Sequence, residues 1–180
     1  MEPSRGQPQF VLVLGGARSG KSRFAEALAA GDGRPVTYVA TAGPPRDREM
    51  ERRIAEHRAR RPAAWRTHEV TVDLAPALGT GVVLVDCLTL WLTHLVLGDE
   101  DVAAHTERLL AAIAARRGPV IAVANEVGEG IVPATPLGRD FRDRQGVLNQ
   151  RMAVAATTVV KMVAGCPLVV KPAPAPSIVL

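Results

Sequence analysis

Short apolar runs separated by polar or helix-patterned stretches set the rhythm of this chain. Phe10-Val-Leu-Val-Leu14, Val36-Thr-Tyr-Val-Ala40, Val82-Val-Leu-Val-Asp86 and Val120-Ile-Ala-Val-Ala124 have little or no polar alternation. Runs of this kind predict strands buried on both faces, the habit of a parallel sheet. Between them, Arg23–Ala30 consists largely of good helix formers. In the charged segment Arg46–Arg61, Met50, Ile54 and His57 fall at i, i+4 and i+7, one stripe of a helix closed by Pro62. Cys87–Leu97 is apolar almost all round and predicts a packed helix. Val102–Arg117 is Ala-rich and amphipathic, with Gly118-Pro119 as its stop, and His105 is placed on its exposed side. Leu137–Gly146 reads as a charge-dense face, Val147–Ala156 as a helix, and Thr157–Ala164 and Leu168–Lys171 as strands. Trp65–Glu69 and Val70–Leu78 carry little signal. Alternating strands and helices predict an α/β fold in one domain, residues 10–171, preceded by a flexible polar segment, residues 1–9, and followed by a Pro-rich tail, residues 172–180.

The first strand runs directly into Gly15-Gly16-Ala17-Arg18-Ser19-Gly20-Lys21-Ser22, and a helix pattern follows. This is the P-loop spacing in its required strand–loop–helix context. Gly15 and Gly20 let the backbone turn tightly, so that N–H groups and a helix N-terminus converge on phosphate oxygens. Lys21 supplies a point charge to the β- and γ-phosphates, and the Ser22 hydroxyl supplies a Mg²⁺ ligand. Downstream, Val82–Asp86 ends an apolar run in an acid, the form of a strand that delivers a carboxylate to the metal side of such a site.

The 180 residues are 47% hydrophobic and 22% charged, with a net charge of +4, a mildly basic balance suited to anionic ligands. Aromatics make up only 3%, too few for the stacking platforms of a single-stranded nucleic-acid reader, so small phosphorylated molecules are the expected partners. Cys87 and Cys166 lie in apolar runs without metal spacing and predict buried free thiols in a reducing compartment. With no apolar stretch long enough to span a bilayer and no signal-type segment, the expectation is a cytoplasmic protein.

Other chemistry remains two-sided at this level. His57 is either a hydrogen-bonded histidine at a packing edge or a catalytic group, and Arg53, Arg58, Arg60 and Arg61 around it are either its electrostatic setting or a solvated face paired with Glu49, Glu51 and Glu56. Asn125 and Glu126 stand where a strand meets a loop on the expected ligand side. Arg139, Arg142 and Arg144 are either a solvated helix face or a phosphate clamp.

The ordered set Gly15–Ser22, Ala40-Thr-Ala42, Glu49-Met50, Arg53-Ile54, His57-Arg58, Arg61-Pro62, Trp65-Arg-Thr67 and Glu69 resembles one family closely. Asp86-Cys-Leu-Thr89, Asn125-Glu-Val-Gly128, Gly130-Ile-Val-Pro133, Leu137-Gly-Arg139, Phe141-Arg-Asp143 and Asn149-Gln150 continue it from Val11 to Lys171. The family is the bifunctional adenosylcobinamide kinase/adenosylcobinamide-phosphate guanylyltransferase of cobalamin biosynthesis. The resemblance implies a RecA-like P-loop fold, mostly parallel, with helices on both faces and an antiparallel edge, assembled as a homotrimer. It implies phosphorylation of adenosylcobinamide by ATP or GTP, then transfer of GMP from GTP to the adenosylcobinamide phosphate, with His57 matching the histidine that carries the GMP. It further implies nucleotide contacts at Thr41, Ala42, Gly43, Arg58, Ala59, Arg60, Arg61, Glu69 and Asp86, beside the P-loop with its catalytic Lys21, and Mg²⁺ on Ser22 and Asp86. Two alternatives stand beside it: a P-loop kinase of another small alcohol, with His57 structural, and a non-catalytic nucleotide-binding regulator.

Overall fold

Seven strands form one sheet in the order β3-β2-β4-β5-β1-β6-β7. In chain order the strands are β1 (Phe10–Gly15), β2 (Val36–Ala40), β3 (Arg66–Glu69), β4 (Val82–Asp86), β5 (Val120–Asn125), β6 (Thr158–Val163) and β7 (Cys166–Lys171). The helices are α1 (Lys21–Gly31), α2 (Arg48–Arg60), α3 (Leu88–Leu97), α4 (Val102–Ala114) and α5 (Pro136–Ala155). This computed structural model describes residues 9–45 and 47–172. Apart from Gln9 and Pro172, the leading segment and the Pro-rich tail lie outside the described residues, as does Arg46. Every pairing is parallel except β6 with β7, the antiparallel edge.

The strand period of two divides the core cleanly. Phe10 and Leu12, Val83 and Val85, and Val120 and Ala122 face one side, where they meet Leu88, Trp91 and Leu92 of α3, Leu109 and Ile113 of α4, and Leu148 and Met152 of α5. Val13, Val82, Leu84, Ile121 and Val123 face the other and meet Ala25 and Ala29 of α1. Helices therefore cover both faces, and the carboxyl ends of β1, β2, β4 and β5 open to one rim. The expected fold class is the observed one.

Several local expectations differ from the structure, each for a physical reason. β3 was silent in the sequence because all of its residues are exposed on the sheet edge, so no apolar pattern marks it. Leu137–Gly146 and Val147–Ala156 are one helix: Pro136 and the Thr135 cap start α5, and an Arg144–Asp140 pair bridges its charged turns. α4 stops at Ala114 rather than Arg117, because Arg116 turns its guanidinium to the carbonyls of Leu78, Gly79 and Gly81. His105 is buried, not on the surface, and its Nε2 faces Glu100. Cys166 is exposed, since β7 is the outermost strand, and Cys87 is half-buried. Among the described residues no helix is long and apolar enough to cross a membrane.

Trp91 is fully buried in the α3 layer, and its indole Nε1 donates to the Val72 carbonyl at 2.6 Å. Trp91→Ala empties a large volume and strands that acceptor. We expect a loss of about 3–5 kcal/mol in urea unfolding.

Candidate active site

The end of β1 and the start of α1 build an anion cradle. Gly15 has φ +152°, and a Cβ there would lie 2.7 Å from Ser19 Oγ and 2.8 Å from the Met162 carbonyl. Gly20 stands at the N-cap of α1 in the left-handed region and supplies no side-chain cap, so the first N–H groups of the helix stay open to an anion. The loop is held from outside as well: Gly165, in the β6–β7 turn, donates its N–H to the Ser19 carbonyl at 3.1 Å. Lys21 is buried and folds back to donate to the Gly16 carbonyl at 2.7 Å. Burial lowers Lys21 from its ordinary value, against the opposing pull of Cys87 and Asp86. Ser19 Oγ is buried and has no hydrogen-bond partner among the described residues, which suits a cradle completed by phosphate.

Asp86, at the end of β4, is where three other elements meet. Its side chain is 7% exposed. Ser22 Oγ of α1 donates to Oδ1 at 3.3 Å, Tyr38 Oη of β2 donates to Oδ2 at 2.8 Å, and His57 Nδ1 of α2 lies 3.4 Å from Oδ2. Burial alone would push this carboxyl up, but the hydrogen bonds and charge directed at it prevail and hold it below the ordinary carboxylate value. Burial, together with the Asp86 charge, pushes the Tyr38 phenol far above its usual range, so it remains a donor. Burial also pushes the neighbouring Cys87 thiol up to about 11, which leaves it protonated and unreactive at neutral pH.

α2 carries His57 over this carboxylate without any buried residue of its own. Met50, Ile54 and His57, the predicted stripe, are its half-buried positions. Two contacts below His57 tie the helix down. Arg60 forks onto both carboxylate oxygens of Glu26 on α1 at 3.2 Å each, and the Arg61 guanidinium lies 3.6 Å from the Tyr38 ring centroid. Arg60 Nη2 is also 3.3 Å from His57 Nδ1. Asp86 can only accept, so an Nδ1–H tautomer bonds it and leaves the Nε2 lone pair free, whereas the second N–H of Arg60 Nη2 bonds an unprotonated Nδ1. Glu26, His57 and Asp86 offer ligand atoms within 4.8 Å of one another, but the Arg60 cation already pairs with Glu26.

The other expected nucleotide residues divide into several groups. Gly16, Ala17 and Arg18 complete the loop, with Arg18 exposed at φ 55°. Thr41 is fully buried; its hydroxyl donates to the Cys87 carbonyl and accepts the Cys87 N–H, so it braces the strand ends internally. Ala42 presents its carbonyl to His94 Nε2 at 3.1 Å, and Gly43 leaves room for that ring, since a Cβ would lie 2.9 Å from it. Arg58, Arg61, Trp65, Thr67 and Glu69 line an open cleft of about 410 Å³ beside α2, with Arg58 paired to Glu69 across it. Ala59 is exposed on α2. The three α5 arginines expected as a solvated face or a clamp are engaged locally: Arg139 bonds the Pro133 and Ala134 carbonyls, Arg142 pairs with Asp143, and Arg144 with Asp140. Sequence reasoning missed Glu26 and Tyr38. Glu26 follows Ser22 by one helical turn, the signal that could have found it; Tyr38 has no local signal in its apolar run.

Residues 11–170 match the cobinamide kinase / cobinamide phosphate guanyltransferase family. The chain is 49% identical to the bifunctional adenosylcobalamin biosynthesis protein CobP of Pseudomonas aeruginosa, covering 91% of this chain and 98% of that one. It is 43% identical to the protein of the same description, CobU, of Salmonella typhimurium, over 90% and 99% of the two chains. In fold it is similar to the flagellar accessory protein FlaH of Methanocaldococcus jannaschii, with a TM-score of 0.54 at 14% identity over 92% of this chain and 79% of that one. The RadB recombinase gives 0.50 at 18% identity over 86% and 74%.

Tyr38→Phe removes one donor from a buried carboxylate. The expected cost is about 1.5–3 kcal/mol at neutral pH. The native value of Asp86 lies below 3.8, so its contribution is present above that pH and is lost as the pH falls toward the lowered value. Urea titrations across this range should therefore show the difference between variant and wild type shrinking at acid pH.

Proposed function

The chain belongs to the cobinamide kinase / cobinamide phosphate guanyltransferase family, and we propose that one nucleotide site performs two successive transfers in cobalamin biosynthesis. In the first, a hydroxyl of adenosylcobinamide takes the γ-phosphoryl group of ATP or GTP. In the second, GMP passes from GTP to adenosylcobinamide phosphate through His57, yielding adenosylcobinamide-GDP and pyrophosphate. The observation that carries this reading is the His57 imidazole 3.4 Å from an Asp86 carboxylate that also bonds the P-loop Ser22. A nucleophile and a phosphate grip thereby share one site.

In the kinase step the loop N–H groups and Lys21 stabilise charge on the group that moves. In the guanylyl step the same grip stabilises the pyrophosphate that leaves. His57 Nε2 bonds to the α-phosphorus, the bond from that phosphorus to the bridging oxygen breaks, and its electron pair departs with pyrophosphate. The Nδ1–H bond to Asp86 orients the ring and stabilises the positive charge it gains. The phosphate of adenosylcobinamide phosphate then attacks the same phosphorus and releases His57. The Arg58–Glu69 cleft beside α2 is the proposed seat of the guanine base, with Glu69 able to accept from ring and exocyclic N–H groups.

Ser22 and Asp86 are hard oxygen donors 3.3 Å apart on an ionised site, a fit for Mg²⁺, and we assign it to them. Bound there, the ion would neutralise charge on the phosphate oxygens. A homotrimer is also proposed, supported by the uncovered Val163, Leu168, Val169 and Val170 of the edge hairpin. A cytoplasmic setting is supported by the free thiols of Cys87 and Cys166.

The experiment is incubation with Mg²⁺ and GTP labelled at the α-phosphate. Wild type should form an acid-labile protein adduct that is absent in His57→Ala, and unlabelled wild type would refute the histidine route. Lys21→Ala should lose both activities by about 10²-fold or more, whereas His57→Ala should lose GMP transfer and retain the kinase step.

A further inference from the structure

Beside the phosphate loop, at the carboxyl end of β5, lies a polar relay for which the two transfers above assign no role. Glu126 follows the last residue of β5 and donates its backbone N–H to the Gly15 carbonyl at 3.1 Å, so it stands at the loop's entrance. Its carboxylate accepts from Asn149 Nδ2 of α5 at 3.0 Å. The same Nδ2 donates to the Asn125 carbonyl at 3.0 Å, and Asn149 Oδ1 accepts from Gln145 Nε2 at 2.8 Å. The direction of this chain is forced, because a carbonyl and a carboxylate both accept and only the amide nitrogen can serve them together. Gln145 is fully buried, and its Oε1 has no partner among the described residues, so the relay leaves an acceptor unsatisfied in the core. From the other direction, Thr89 Oγ1, three residues beyond Asp86, accepts the Asn125 N–H at 2.8 Å.

The carboxylates around the rim differ in their company. Glu26 pairs with Arg60, Glu69 with Arg58, Glu129 with Lys161, and Asp86 meets Ser22, Tyr38 and His57. Among these, Glu126 alone is held by a neutral amide, which orients one oxygen and leaves the other free. The kinase transfer needs such a group, because the attacking alcohol must lose a proton as its oxygen bonds to phosphorus.

We propose that Glu126 is the general base of the phosphoryl-transfer step and that Asn149 is its positioning residue, a proposal that rests on the kinase reading above. The alcohol oxygen forms a bond to the γ-phosphorus, and the bond from that phosphorus to the β–γ bridging oxygen breaks. The electron pair leaves with the nucleoside diphosphate, and the hydroxyl proton passes to the Glu126 oxygen not bonded to Asn149. GMP loading of His57 involves no alcohol and therefore needs no Glu126. The charged groups facing Glu126 are Lys161 on β6 and, through it, Glu129.

The test uses the whole protein with adenosylcobinamide, ATP and Mg²⁺, alongside loading with GTP labelled at the α-phosphate. Glu126→Gln should lower kcat of the kinase step by about 10²-fold or more while His57 still takes up label at the wild-type rate. Undiminished kinase turnover in Glu126→Gln overturns the proposal, and so does an equal fall in both activities, which would make Glu126 part of the shared nucleotide grip. Glu126→Asp, which keeps the charge and shortens the reach, guards against a folding defect: it should lower kcat without raising KM for ATP, and a wild-type kcat overturns the assignment. Asn149→Ala should lower kcat of the kinase step with KM for ATP and His57 labelling unchanged, and Asn149→Gln should restore part of it; an equal fall in kinase turnover and labelling removes Asn149 from its positioning role. Wild-type protein that never phosphorylates adenosylcobinamide would instead refute the kinase reading itself.

Discussion

A single buried carboxylate obliges the elements of this site to meet. An ion as enclosed as Asp86 survives only if donors replace the water it has lost. No one stretch of chain supplies them: Ser22 comes from the helix after the P-loop, Tyr38 from the neighbouring strand, and His57 from a helix with no buried residue of its own. Satisfying the charge is thus also the act of assembling the site. The phosphate loop, the acid at the end of β4 and the histidine proposed as nucleophile are brought into register by the requirement that one carboxylate not be left unsolvated.

The same economy explains how two transfers can share a loop. Phosphoryl transfer and guanylyl transfer place negative charge at the same pair of phosphates, once on the group that travels and once on the group left behind. What must differ is the attacking atom. In the proposed mechanism a histidine over Asp86 and an alcohol beside Glu126 attack different phosphorus atoms from different elements, α2 in one case and the end of β5 in the other. On that proposal the two reactions differ in the direction of attack and share one grip.

How far the sequence could foresee this depends on whether a signal is local. The P-loop, the β4 acid and the His57 stripe are legible because each is a pattern within a dozen or so residues whose backbone consequences are fixed by glycine, apolar runs or helical period. Tyr38 is not: within Val36–Ala40 it is one more apolar position, and only the pairing of β2 beside β4 sets its hydroxyl against Asp86. Glu26 shares the α1 face of Ser22 one turn on, but its partner Arg60, like the contact of Asn149 with the end of β5, comes only from the tertiary fold. β3 left no trace because an exposed edge strand buries nothing. His105 was misjudged because its neighbour Thr106 and the following Leu109 and Ile113 turn that side of α4 inward. In both cases the hydrophobic pattern reports the buried side of an element and says little of the polar residues that happen to share it.

The attachment of α2 has an evolutionary consequence. The helix is anchored near its C-terminal end, by Arg60 on Glu26 and Arg61 on Tyr38, and the loop that leads into it ends at the N-cap, Asp47. His57 lies one turn from these anchors, whereas Asp47 lies more than two turns upstream. Insertions or deletions in that loop can be absorbed before the chain reaches His57. Between His57 and Arg61 no such freedom exists, for a single residue gained or lost there would rotate the imidazole about 100° around the helix axis, away from the acid it faces.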